Sequence, residues 1–339
     1  MFKANAVHGF RLPRRRALGV LAGGLIATAL SPSFVAAADK PLKVVASFSI
    51  LGDMVREIGG EYVALTTLVG PNGDVHSFEP SPQNAKALAQ ADVLVLNGLG
   101  FEGWLARLTQ ASGFKGRQIL ASKGVELRHL SADEVVGGAS HSAGDGHDSE
   151  HEQEGHGHDS HAQGDIDPHA WQSLRNGMIY ARNIADGLVQ ADPTHRAYYR
   201  ARAKLYIDRM AKLDAEIRIA LEGIPANRRT VITSHDAFGY FAQAYGIRFI
   251  SIAGLSSEAE PSAKDLAAII DRAKKEHVAG VFVEGSSSSK LVKQVARETG
   301  ASVGGTLYSD ALGAGDAPAG TYLGMFSWNA GRLIYVLTR

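Results

Sequence analysis

Asp92-Val-Leu-Val-Leu-Asn97 is an unbroken apolar run closed at both ends by a polar side chain. An apolar run this short, with no polar alternation, predicts a strand covered on both faces, as in a parallel sheet. The residues before it predict the helix that such a sheet needs. Ser81-Pro82 opens that helix, with serine as cap and proline at the first helical position, and it runs through Ala91. Further back, Tyr62 to Val69 predicts a strand ending at the turn Gly70-Pro71-Asn72-Gly73. Ile50 to Ile58 predicts a helix, and Leu42-Lys-Val-Val-Ala-Ser-Phe48 the first strand. Strand and helix alternate, which defines an α/β domain with a parallel sheet.

The rhythm returns in the second half. Thr230–Thr233, Arg248–Ile252 and Gly280–Glu284 read as strands, and Ala237–Tyr245, Ser262–Glu276 and Ser289–Thr299 as helices. Between the halves, Asp192-Pro193 caps a run from Thr194 to Leu221 that no proline or glycine interrupts. Tyr198, Ala201, Leu205, Leu213 and Ile217 recur there on a helical period. About twenty-eight helical residues at ~1.5 Å each make a rod of roughly 40 Å. The expected fold is therefore two α/β lobes with mainly parallel sheets, residues 39–193 and 223–339, joined by one long rigid helix over 194–222.

The amino terminus reads as an address. Arg11, Arg14, Arg15 and Arg16 precede the apolar stretch Ala17 to Leu30, and Ala36-Ala37-Ala38 offers a cleavage site before Asp39. Residues 1–38 are thus expected to be a cleaved export signal, of secretory or twin-arginine type, and the mature chain to lie in the periplasm. The chain has no cysteine, hence neither disulfides nor a lipid-modified cysteine. Thirty-five basic and thirty-five acidic residues leave no net charge that would favour nucleic acid.

One segment breaks the pattern. Residues 141–161 hold His141, His147, His151, His156, His158 and His161, interleaved with carboxylates and almost without apolar side chains. Such a composition predicts a loop, over 139–164, that cannot bury enough carbon to order itself. Imidazole and carboxylate suit borderline divalent ions, so the tract points to zinc at accessory low-affinity sites.

Outside it, three histidines and an aspartate share a setting. His76 lies in Gly73-Asp-Val-His-Ser-Phe-Glu-Pro80, His169 in Asp167-Pro-His-Ala-Trp171, His235 in Thr233-Ser-His-Asp-Ala-Phe238, and Asp310 in Leu307-Tyr-Ser-Asp-Ala-Leu312. Each is expected just past the carboxyl end of a strand, where open α/β sheets bind ligands. These stretches, with Asn97-Gly-Leu-Gly-Phe-Glu-Gly-Trp104, Glu258-Ala-Glu-Pro-Ser262 and Thr321-Tyr-Leu-Gly-Met325, resemble the cluster A-I solute-binding proteins of zinc and manganese ABC importers. The His-rich insert is similar to that of the zinc members, of ZnuA and AztC type.

The resemblance implies an interlobe metal site of His76 and His169 from one lobe and His235 and Asp310 from the other. It also implies zinc as the transported ligand, a membrane permease of an ABC importer as partner, a periplasmic zinc chaperone as donor, and a monomer without catalysis. Three neutral imidazoles and one carboxylate form a closed tetrahedral zinc shell of net charge +1.

Rival readings use the same residues. A secreted zinc-dependent hydrolase needs an open coordination position and a base, for which Asp236, Glu258 or Glu260 could serve; otherwise these carboxylates orient ligand imidazoles. A zinc-buffering or adhesion protein needs only the site. Gly98-Leu-Gly-Phe-Glu-Gly103 matches a dinucleotide fingerprint in form, with Glu126 downstream, but export separates the chain from nicotinamide pools. His151-Glu-Gln-Glu-Gly-His156 has one residue too many for a zincin helix, and Ser286–Ser289 before Lys290 reads as an N-cap.

Overall fold

The structure, a computed structural model, describes residues 40–130, 166–254, 262–285 and 289–339. The export segment, the six tract histidines, Glu258, Glu260 and the serines at 286–288 lie outside the described residues.

In the first half, β1 (Leu42–Phe48), β2 (Val63–Val69), β3 (Val93–Leu96) and β4 (Arg117–Leu120) form a parallel sheet in the order β2-β1-β3-β4. The run that predicted the fold is β3, and Val93, Leu94 and Val95 are fully buried between its neighbours. Three helices cross between these strands: α1 (Ser49–Gly59), α2 (Pro82–Ala89) and α3 (Leu105–Ser112). Ser81 caps α2 as expected. Its hydroxyl accepts from Asn84 N–H while the Asn84 side chain accepts from Ser81 N–H, closing a reciprocal box.

After α4 (Leu174–Ala191) and α5 (Arg196–Glu222), the second half repeats the plan. Strands β5 (Thr230–Thr233), β6 (Arg248–Ser251), β7 (Gly280–Glu284) and β8 (Ser302–Leu307) form a second parallel sheet, ordered β6-β5-β7-β8. With them go α6 (Gly239–Tyr245), α7 (Ala263–Lys275), α8 (Ser289–Thr299) and α9 (Tyr322–Leu337). In both sheets the strand order reverses at the first strand, so a crevice opens beyond the carboxyl ends of β1 and β3, and of β5 and β7. Lys40–Arg339 forms one compact unit, and a single apolar core extends from the first sheet through α4 and α5 to α6 and α9. A second, smaller core lies under α7 and α8.

The long helix is present, but of the expected inward positions only Ile217 is buried; elsewhere the buried face falls on neighbouring residues. Tyr199, Ala203, Tyr206, Met210, Asp214, Ile217 and Leu221 face inward, whereas Leu205 is 64% exposed and Tyr206 2%. Aliphatic periodicity follows Leu205 and misses a stripe of tyrosines, methionine and a bonded aspartate. Asp214 is tolerated there because Arg218 and the Tyr245 hydroxyl bond its carboxylate. Asp192 does not cap through its side chain; its Oδ2 accepts instead from the His195 ring at 2.7 Å and the Tyr199 hydroxyl at 2.6 Å.

Candidate metal centre

The four candidate ligands come together. His76 follows β2, His235 follows β5 and Asp310 follows β8, as expected of loops at strand ends. His169 is the exception. It follows an isolated antiparallel bridge between His129 and Ile166 and precedes a 3-10 turn, Ala170–Gln172. One donor atom from each of the four lies within 4.8 Å of the others. The imidazole centroids stand 5.9, 6.1 and 5.8 Å apart, nearly an equilateral triangle, with Asp310 against its centre.

Asp310 touches all three rings through Nε2. The distances are 2.9 Å to His235, 3.4 Å to His76 and 3.5 Å to His169. Ligand atoms ~2.0–2.1 Å from a tetrahedral ion lie about 3.3 Å apart, so these spacings need little adjustment. Moreover, His76 Nε2, His169 Nε2 and Asp310 Oδ1 are buried without a hydrogen-bond partner. Orphaned polar atoms are costly in a protein interior, and three converging on one point fit a cation there.

Two of the three rings have a carboxylate behind them. Asp167 Oδ1 accepts from His169 N–H at 2.9 Å and lies 2.8 Å from its Nδ1, while Oδ2 takes a bond from Arg128 at 2.8 Å. Glu284, at the carboxyl end of β7, accepts His235 N–H at 2.9 Å and places its other oxygen 2.8 Å from Nδ1. In a neutral ring, a carboxylate at Nδ1 favours the proton there and leaves the Nε2 lone pair for an ion at the centre. Asp74 accepts His76 N–H at 2.9 Å, and Phe101 lies edge-on to both the His76 and His169 rings. Asp167 and Glu284 were not singled out in the sequence. The available signals were a carboxylate two residues before a candidate ligand, and one ending the strand beside β5.

The glycine-rich loop after β3 contributes in another way. Gly98 and Gly100 both have φ +79°, which brings the chain back so that Glu102 occupies the amides of Asn97 and Gly98, at 2.7 and 3.0 Å. These are the groups that a pyrophosphate would use, and the chain's own carboxylate holds them. From this loop Trp104 donates to Val75 O, beside His76, and Asn97 to Pro168 O, beside His169.

Electrostatics follow from burial and proximity. Burial alone would push the His169 and His235 rings down. For His169, Asp310 and Asp167 outweigh it and the ring is raised; for His235, Glu284 and Asp310 raise it well above the usual imidazole value. Burial opposes ionisation of Asp310 too, yet His235 and His169 hold it well below the ordinary carboxylate range. With no ion, the cluster therefore retains protons that a cation would displace.

Two parallel α/β sheets, a long bracing helix, and three imidazoles and a carboxylate between them define a metal-binding substrate-binding protein of the ABC-transporter type. Residues 44–335 match the family described as "Zinc-uptake complex component A periplasmic", ZnuA, and the chain belongs to it. The family is one of transporter binding proteins, not of enzymes, and its membership implies a membrane permease and ATPase as partners.

Similar proteins differ in their metals. The chain is 29% identical to the manganese ABC transporter substrate-binding lipoprotein PsaA of Streptococcus pneumoniae over 312 residues, 90% of this chain and 92% of that one. It is 29% identical to the iron ABC transporter substrate-binding lipoprotein MtsA of Streptococcus pyogenes serotype M1 over 315 residues, 91% of this chain and 93% of that one. Among solved structures, the periplasmic zinc binding protein TroA from Treponema pallidum superposes with TM-score 0.75 and 26% identity, over 88% of this chain and all of that one. The likeness supports a metal-binding substrate-binding protein and does not separate zinc from manganese or iron.

Proposed function

We propose that the protein captures zinc at His76, His169, His235 and Asp310 and delivers it to an ABC importer. The observation that carries this reading is the donor set: three Nε2 atoms, two of them backed by buried carboxylates, around one carboxylate oxygen. Imidazole donors favour zinc over the harder manganese, and the general order of divalent affinities acts in the same direction. Four protein ligands close a tetrahedral shell, which suits holding an ion and leaves no position for a reacting water. This favours capture over hydrolysis.

On this reading residues 39–193 and 223–339 act as lobes braced by 194–222. The precursor's first 38 residues direct export to the periplasm, where the protein works as a monomer. The tract histidines His141, His147, His151, His156, His158 and His161 collect zinc at weaker, exchanging sites held near the cleft by their tether, and a zinc chaperone docks there. The test is calorimetric competition between zinc and manganese on the exported form. The expected result is one tight zinc per chain, preferred over manganese by orders of magnitude. Equal affinities overturn the zinc assignment.

A further inference from the structure

By half of the chain, the four candidate ligands divide two and two. By hydrogen bonding they do not. Asp310 leaves β8 of the second sheet, yet the chain around it is tied to the first half of the molecule. Ser309 O accepts from Trp171 Nε1 at 2.8 Å and from Gln172 Nε2 at 2.7 Å. Leu312 N–H donates to the Ser49 hydroxyl at 3.0 Å, and Leu312 O accepts from Asn72 N–H at 2.9 Å. At the far end of the same loop, Tyr322 N–H donates to Asp53 at 2.9 Å and its hydroxyl to Trp171 O at 2.5 Å. Ser49 and Asp53 belong to α1; Trp171 and Gln172 lie two and three residues after His169; Asn72 lies in the loop that carries His76. Ser49, Asp53, Trp171 and Gln172 are all buried, where such bonds have no competing water.

His235 is held differently. Its backbone N–H bonds Glu284 within the second sheet, its Nδ1 lies 2.8 Å from the other Glu284 oxygen, and its one tie to Asp310 is the Nε2–Oδ2 contact at 2.9 Å; Glu284 N–H in turn bonds the Ser234 hydroxyl at 3.2 Å. The segment after it reaches the first half through the Tyr240 hydroxyl, which accepts Arg128 N–H at 2.9 Å, and through Gly239, packed so close to Arg128 and Asp167 that a methyl group there would overlap them.

We infer that Ser49, Asp53, Trp171 and Gln172 are positioning residues for Asp310, fixing it to the body that carries His76 and His169 so that His235 alone stands on the other. The inference rests on the metal-binding reading of the four residues. It makes the site three-plus-one: three donors are assembled before the ion arrives, and His235 closes the shell. Release then begins with withdrawal of one imidazole, since parting Asp310 from His169 would break the buried bonds to Ser49, Asp53, Trp171 and Gln172.

A double-mutant cycle on the full exported chain tests this, read as zinc dissociation constants by competition with a chromophoric chelator. Gln172→Leu should weaken zinc about tenfold in the native background, the scale of one buried hydrogen bond. In an Asp310→Ala background the same change should have less than about a twofold effect, because its target is gone. Asp53→Asn, which keeps an acceptor for Tyr322 N–H, should remain near the native value while Asp53→Leu does not. A merely structural role would weaken zinc equally in both backgrounds, and that result overturns the inference. Hydrogen exchange supplies a measurement without substitution: the Leu312 and Tyr322 amides should stay protected when zinc is removed. Their loss of protection on zinc removal would overturn it too. Failure of the unaltered chain to bind zinc overturns the metal reading as well, whereas equal effects in the two backgrounds overturn this inference alone.

Discussion

Glu284→Gln should weaken zinc binding although residue 284 never touches the ion. Glu284 is 1% exposed and uses two oxygens: one accepts His235 N–H at 2.9 Å, the other lies 2.8 Å from Nδ1. Glutamine has one oxygen. If it faces the backbone N–H, the amide NH₂ faces Nδ1, which must then accept, and the ring proton moves to Nε2, where the ion should bind. If it faces the ring instead, the buried His235 N–H meets a second donor. Either arrangement costs on the scale of one charge-assisted buried hydrogen bond. Residues behind metal ligands are typically worth 10–100-fold in affinity, about 1.4–2.7 kcal/mol. The upper half of that range is expected here because both contacts are buried. The assay is chelator competition for zinc, with circular dichroism of the metal-free protein to show that it folds. A folded variant whose zinc affinity stays within about twofold of the native value would refute the tautomer argument.

Three further outcomes are expected. His169 and His235 have raised values in the metal-free fold, so their protons stabilise it fully below the unfolded imidazole value near ~6.5, and this contribution is lost as pH rises through the folded values. Zinc must displace those protons, so the gap in melting temperature between zinc-loaded and metal-free protein should widen with rising pH over that window; calorimetric scans showing it narrow would contradict the assignment. His235→Glu places a third carboxylate beside Glu284 and Asp310 and should shrink the zinc–manganese preference, mainly by weakening zinc, in the same calorimetric competition. Deleting residues 141–161 should leave one tight zinc per chain by equilibrium dialysis, remove the weaker ones and slow loading; loss of the tight site would place its ligands elsewhere.

Much of this was legible in the sequence, for definite physical reasons. The central strands β1, β3, β5 and β7 each bury a short apolar stretch, and these stretches announce themselves. Two of the edge strands, β4 and β8, do not. Arg117-Gln-Ile-Leu120 buries one residue of four, and Ser302-Val-Gly-Gly-Thr-Leu307 carries two glycines, one of them pressed on the Phe282 ring where no side chain fits. Both strands escape a search for apolar runs. Helix α5 was legible in extent but, apart from Ile217, not in phase, because tyrosines and Asp214 take up much of its buried stripe. The four candidate ligands were legible because each is a strong metal donor near a turn between elements. The groups behind them were not, since Glu284 reads as the last residue of a strand and Asp167 as a loop residue. Least legible was the attachment of the Asp310 loop to α1 and Trp171, which joins residues as much as 269 positions apart. Sequence spacing carries no sign of it.

The central claim is that one zinc ion sits between the two sheets on three imidazoles and one carboxylate. Anomalous diffraction at the zinc edge, from crystals of the zinc-loaded protein, tests it most directly. The expected result is one strong peak about 2.0–2.2 Å from Nε2 of His76, His169 and His235 and from a carboxylate oxygen of Asp310. A principal peak bonded to fewer than three of these four residues would contradict it.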